Sequence, residues 1–249
     1  MRDEKRYIIR FLYALIGNVI LAIGAAMLVA ASLGSDLFTG QIRPVANLIG
    51  IPMGVYQMLF GIVLGTVIFF LNRKLIGAGS VINVFLTGFF VSFFIDKFGF
   101  LHDLFDFIPL RSINLPFVSY DVVLGELILI LLAMVVYSLG ISMYANSGMG
   151  AGPYDGIGPL IASKTKLSFV KSRMLADAGF LILCVIFGLI AYRQIGLYDP
   201  TVPYPLYNFM VGPSTILAAL CLGPFIHFWN KFFTLPTLKA MGYDQTKNQ

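Results

Sequence analysis

The sequence predicts an all-α fold, a polytopic membrane bundle of six transmembrane helices built from two inverted three-span repeats, with re-entrant half-helices as the preferred reading of its glycine loops. Three observations carry this. Of 249 residues, 58% are hydrophobic and 12% charged, with a mean hydropathy of +0.87, a composition that excludes a soluble globular domain. The apolar residues fall in runs long enough to cross about 30 Å of hydrocarbon. Two glycine-rich stretches also align without a gap, 116 positions apart.

Those stretches are Ala22–Gly40, AIGAAMLVAASLGSDLFTG, and Ser138–Gly156, SLGISMYANSGMGAGPYDG. Gly24 falls on Gly140, Met27 on Met143, Gly34 on Gly150, Phe38 on Tyr154 and Gly40 on Gly156. Gln57-Met58-Leu59 meets Arg173-Met174-Leu175 at the same offset, and Gly79 to Gly88 pairs with Ser214 to Gly223 at an offset of 135. Each copy therefore reads span, glycine loop, span, span.

In order, spans are expected at residues 7–33, 52–71, 79–96, 121–145, 169–192 and 213–230. The first is too long for the 7–15-residue apolar core of a cleaved leader. Repeat one covers 7–96, an interfacial connector 97–120, repeat two 121–230 and a cytoplasmic tail 231–249. In the connector, Phe98, Leu101, Leu104, Phe105 and Ile108 recur at helical spacing, which predicts a helix lying in the interface and stopped by Pro109, with a lid over the pathway as the alternative. Tyr198 to Tyr207, with three prolines, reads as an extended outer loop, and the tail after Thr234 as short and mobile.

Cytoplasmic segments collect Lys and Arg. The N-terminus, the second and fourth connections and the tail together hold 13 of the 17 basic residues, which places both termini in the cytoplasm. Three is an odd number of spans, so the second copy enters from the opposite face. Inverted repeats of this kind put a ligand path at the repeat interface.

In copy two, Ser147–Gly152 is expected to be extended, Pro153 to take the first helical position and Asp155 to fall in the first turn of a helix running to Ser163. In copy one, Gly34–Gly40 is expected extended and Gln41–Leu48 helical. Such segments reach the midplane and return, and ordinary surface turns are the alternative. Two converging helix N-termini favour an anionic or carboxylate-bearing ligand.

The substrate-binding candidates are Gly34, Thr39, Gly150, Pro153, Tyr154 and Asp155 in the loops, with Asn18 and Asn83 mid-span, where an amide either bonds across helices or lines a path. Candidates for ion or proton coupling are Asp155, Asp177, Arg173 and Glu126. Asp177 lies four residues after Arg173, so the two either form a structural pair or mark a functional carboxylate at membrane depth. Asp36, which falls on Gly152, is the weaker acid. His102 and His227 are solitary, and Cys184 and Cys221 read as small buried hydrophobes. Neither a metal cluster, a nucleophile–base pair nor a phosphate-cradling loop is present, so no enzyme activity, metal or cofactor is expected. The charge of +5 is distributed by membrane side, which excludes nucleic acid. The expected partners are the lipid bilayer and a small molecule, and a homo-oligomer stays open.

The chain resembles the YczE- and YitT-like bacterial integral membrane proteins, whose glycine loops have the form GLGxxPWD. Gly148-Met149-Gly150-Ala151-Gly152-Pro153-Tyr154-Asp155 is similar to that pattern, with Tyr for the frequent Trp. Leu33 to Thr39 departs from it, lacking the proline and the final acid, while Gly79-Ser80-Val81-Ile82-Asn83 is similar to the family's Gly-Thr-x-x-Asn opening of a third span. The resemblance implies a multi-pass protein of the bacterial plasma membrane and carries no settled activity. The leading expectation for function is a secondary permease; the alternative is a non-transporting sensor, or an assembly or regulatory partner of an envelope enzyme.

Overall fold

The computed structural model describes residues 2–31, 33–115, 118–194 and 212–243. Its helices are α1 (Arg2–Ala30), α2 (Leu37–Ile49), α3 (Met53–Asn72), α4 (Ala78–Ile82), α5 (Gly88–Phe105), α6 (Leu124–Asn146), α7 (Pro153–Lys164), α8 (Phe169–Gln194), α9 (Pro213–Trp229) and α10 (Leu235–Ala240). An antiparallel hairpin, β1 (Pro109–Leu115) and β2 (Val118–Val123), precedes α6. A π-helical turn, Asn83–Thr87, makes α4 and α5 one continuous helix, and another, Asn230–Thr234, does the same for α9 and α10. Six segments are long and apolar enough to cross a membrane: Arg6–Ala30, Met53–Leu75, Ala78–Phe105, Leu124–Asn146, Lys171–Ile190 and Pro213–Ala240. The chain is an all-α polytopic membrane bundle.

At its centre α1 packs on α6. A Cβ added to Gly24 would lie 2.4 Å from Tyr137 N, one on Gly140 would lie 2.2 Å from Leu21 N, and one on Gly17 would lie 2.6 Å from Tyr144 N. Partner numbers fall along α6 as they rise along α1, so the two helices run antiparallel. Glycines at the seam let the backbones approach until dispersion and Cα–H contacts replace the hydrophobic drive that lipid cannot supply. Ala25, Leu28, Leu129, Ile130, Ala133 and Met134 complete this core. Next to it α5 lies against α1 and α9 against α6. Outward-facing apolar residues such as Val63 and Phe70 are exposed on α3, as expected of a helix apolar all round in lipid.

Three expectations are corrected. The separate interfacial helix of the connector does not exist: the third span continues without a break to Phe105, and the hairpin follows. The helical spacing was real, but Leu101 and Phe105 pack on the central core and so extend the span. The tail is not loose up to Ala240. It continues the sixth span through α10, where Leu238 is buried against Tyr13 and Met143, and Arg10 stacks on Tyr243 at 4.5 Å. Finally, α2 begins at Leu37, four residues earlier than expected, because Asp36 caps it by accepting from Phe38 N and Thr39 N at 3.1 Å each. The loop expected over residues 198–207 lies outside the described residues.

Because Gly140 has no room for a methyl group, Gly140→Ala is expected to lower stability by about 1–3 kcal/mol, the cost of overpacking a tight seam. Gly179→Ala on α8, where a Cβ meets nothing within 4 Å, should be neutral or gain up to about 1 kcal/mol from helix propensity. Thermal unfolding of the detergent-purified variants compares the two.

Candidate functional site

Two short helices interrupt the bundle. With 13 residues in α2 and 12 in α7, each is about 20 Å long at 1.5 Å per residue, too short to span. Both bury their starts and expose their ends: Asp36, Leu37, Thr39 and Gln41 are buried while Asn47 and Ile49 are exposed, and Pro153, Gly156 and Gly158 are buried while Ser163 and Lys164 are exposed. The N-caps are Asp36 and Gly152, the same position at the repeat offset of 116.

The extended loop before each short helix is held by the other copy, at the start of its third span and, for the second loop, also at the end of the second span. Leu33 O accepts from Ser214 N at 3.0 Å and from Ser214 Oγ at 2.9 Å, and Ser35 O accepts from Thr215 Oγ1 at 2.7 Å. In the equivalent place, Met149 O accepts from Gly79 N at 2.6 Å and Ala151 N donates to Leu75 O at 2.9 Å. Gly34 and Gly150 sit at these crossings with φ of 108° and 103°, a region other residues adopt only at a cost. A Cβ on either would also strike the facing backbone, Gly212 N at 2.7 Å or Gly77 N at 2.4 Å. These two candidates thus build the scaffold of the site.

The helix starts converge. Phe38 and Tyr154, equivalent residues of the two copies, lie with ring centroids 5.4 Å apart, and Phe180 closes on Tyr154 at 4.7 Å and Phe38 at 6.3 Å. Beside these rings is a charged cluster. Arg173 Nη1 donates to Asp155 Oδ1 at 2.9 Å, and Arg173 Nε lies 3.2 Å from Asp177 Oδ1. The guanidinium carbon is 4.6 Å from the centroid of Tyr154, whose hydroxyl donates to Asp177 at 2.6 Å. The Tyr144 hydroxyl donates to the other oxygen of Asp155. Side-chain exposures of 15–25% for Asp155, Asp177 and Arg173 leave the cluster partly open. Asp36, 3% exposed, caps the facing short helix. Its Oδ2 has no hydrogen-bond partner among the described residues.

Four of the sequence candidates, Tyr154, Asp155, Arg173 and Asp177, therefore meet, and Thr39 is buried on the α2 side of the same convergence. Pro153 takes the first helical position of α7. Asn18 and Asn83 form an interhelical link instead: Asn18 Oδ1 accepts from Asn83 Nδ2 at 2.7 Å and from Thr87 Oγ1 at 3.0 Å. In the other half Ser142 bonds Asn230 at 2.7 Å and Thr234 at 2.5 Å, so each π turn presents an Asn and a Thr to the first span of its own copy. Glu126 is about five turns along α6 from Tyr144 and faces His102 Nδ1 at 3.2 Å, away from the cluster. Sequence reading passed over Tyr144 and Phe180 and ranked Asp36 as the weaker acid. Only Asp36 carried a local signal, as an acid two residues before the aligned aromatic.

The model of a family of unknown function, DUF6198, matches residues 8–231. This chain belongs to the DUF6198 family. Among curated proteins, the DUF6198 chain is 26% identical over 178 residues to the "Uncharacterized protein YyaS" of Bacillus subtilis (strain 168), covering 72% of this chain and 81% of that protein. It is 24% identical over 174 residues to the "Uncharacterized membrane protein YczE" of the same organism, covering 69% of this chain and 72% of that one. No solved structure matches. The matched region holds both short helices and every member of the charged cluster.

Arg173 is the counter-charge for two carboxylates. Arg173→Gln is expected to cost about 2–3 kcal/mol, below the roughly 3–5 kcal/mol for a fully enclosed pair because this one is partly exposed. Adding Asp155→Asn should recover part of that loss. Strictly additive shifts in a double-mutant cycle of unfolding midpoints would show that the two side chains are not coupled.

Proposed function

We propose that this DUF6198 protein is a secondary permease for a small molecule, seated in the bacterial plasma membrane with both termini cytoplasmic, in which two inverted halves rock about the Asp155–Arg173–Asp177 cluster. The observation that carries the reading is the meeting of two half-helix starts inside the bundle at a partly open group of ionisable side chains. Discontinuous helices with their ends at a shared interior site are the usual construction of alternating-access carriers, and ionisable side chains at membrane depth otherwise carry a cost without a use. Inversion is supported by the antiparallel run of the equivalent helices α1 and α6. The pairing of Phe38 with its equivalent Tyr154 supports it further, since equivalent residues meet only near a pseudo-two-fold axis.

Two measurements test this. For any solute that wild-type protein moves in proteoliposomes, Asp155→Asn is expected to cut the rate about tenfold or more while the variant inserts and purifies normally. Unchanged uptake would remove Asp155 from the site, and absence of flux for every solute tried would favour a non-transporting component. Ile49→Cys, at the exposed end of α2, should react with a membrane-impermeant maleimide in intact cells, whereas Lys166→Cys, past the end of α7, should react only after permeabilisation. Labelling of both from one side would end the inverted arrangement.

A further inference from the structure

We infer that the site takes an organic cation of the guanidinium or amine class, and that Arg173 occupies the cation's place when the site is empty. This rests on the permease reading for its location and goes beyond it in naming the ligand chemistry. Bare helix N-termini would attract an anion, but each of these already carries an acid of its own. Asp36 already accepts from Phe38 N and Thr39 N of α2, and α7 starts with a proline, which has no N–H, and carries Asp155 in its first turn. An anion would meet the carboxylates of Asp155 and Asp177 beside it.

The charge count points the other way. Asp155 and Asp177 share one guanidinium, and Asp36, the cap of the facing short helix, keeps a buried oxygen, Oδ2, without a hydrogen-bond partner among the described residues. A second cation is what such a group lacks. The aromatic walls fit the same ligand: Phe38, Tyr154 and Phe180 stand together, and Arg173 lies on the Tyr154 face as a planar cation does. The carboxylates do not converge as metal ligands; among the described residues no group of His, Cys, Asp or Glu is close enough to hold an ion. Arg173 bridges Asp155 and Asp177 from one side chain. A ligand guanidinium or ammonium that displaced it would inherit both carboxylates and the ring, while Arg173 swung toward the partly open side.

The test uses purified full-length protein with methylguanidinium as probe and propionate as its anionic counterpart, each at constant ionic strength, read by calorimetric titration and thermal shift. Arg173→Ala is expected to bind methylguanidinium about tenfold more tightly than wild type, the scale of one charge-assisted hydrogen bond, and adding Asp155→Asn should abolish the gain. Asp36→Asn keeps a capping side chain and so provides a variant that folds. It should bind the probe about tenfold more weakly than wild type for the same reason. Propionate binding by wild type, or methylguanidinium binding indifferent to Asp36 and Asp155, would overturn the assignment. Cation binding without flux in proteoliposomes would overturn the permease reading alone, and flux of a carboxylate without cation binding would overturn the cation alone.

Discussion

Backbone polar groups inside a bilayer must find partners within the protein, and that requirement shapes this fold more than any side-chain contact. Breaking two helices at the bundle centre frees N–H and C=O groups where no lipid can bond them. Each break is closed by the other copy at or just before its third span: Ser214 and Thr215 bond Leu33 and Ser35, and Gly79 and Leu75 bond Met149 and Ala151. Only glycine fits at the crossings, since Gly34 and Gly150 combine a positive φ with a backbone less than 3 Å from any added Cβ. The two copies are thus tied by exchanged hydrogen bonds, and neither glycine loop keeps its shape without the other copy.

The same constraint decides the electrostatics. A helix start held in low dielectric needs negative charge or acceptors, and the chain supplies its own: a cap at Asp36 and a first-turn acid at Asp155. The acid at Asp155 is met by Arg173, which also pairs with Asp177 and lies on Tyr154. A break in the backbone thereby leads to a charged, aromatic-walled site. The π turns serve a different purpose. Each widens one turn of a third span and turns an Asn and a Thr toward the first span, to Asn18 in one half and Ser142 in the other.

Much of the site was legible because the repeat is short-range and glycine, proline and aspartate act locally. Pro153 at the first helical position, Asp155 one turn in and the i to i+4 pair of Arg173 and Asp177 all follow from spacing. Tyr144 and Phe180 were not legible. A tyrosine at the end of an apolar helix and a phenylalanine inside another look like lipid-facing residues until α6 and α8 are brought to α7. Asn18 and Asn83, equally plausible as pore or packing residues, turned out to bond each other.

Composition by itself determined a six-span all-α bundle, and the offsets of 116 and 135 put glycine-rich stretches at matching places in the chain, because hydropathy and backbone conformation are properties of short stretches. Tertiary structure alone decided that Phe98 to Phe105 extends a span instead of lying in the interface, that the chain continues as helix to Ala240, and that the helix starts meet carboxylates already in place. Each of these depends on what another helix presents across a gap of a few ångströms, and no stretch of sequence carries that information about its neighbour.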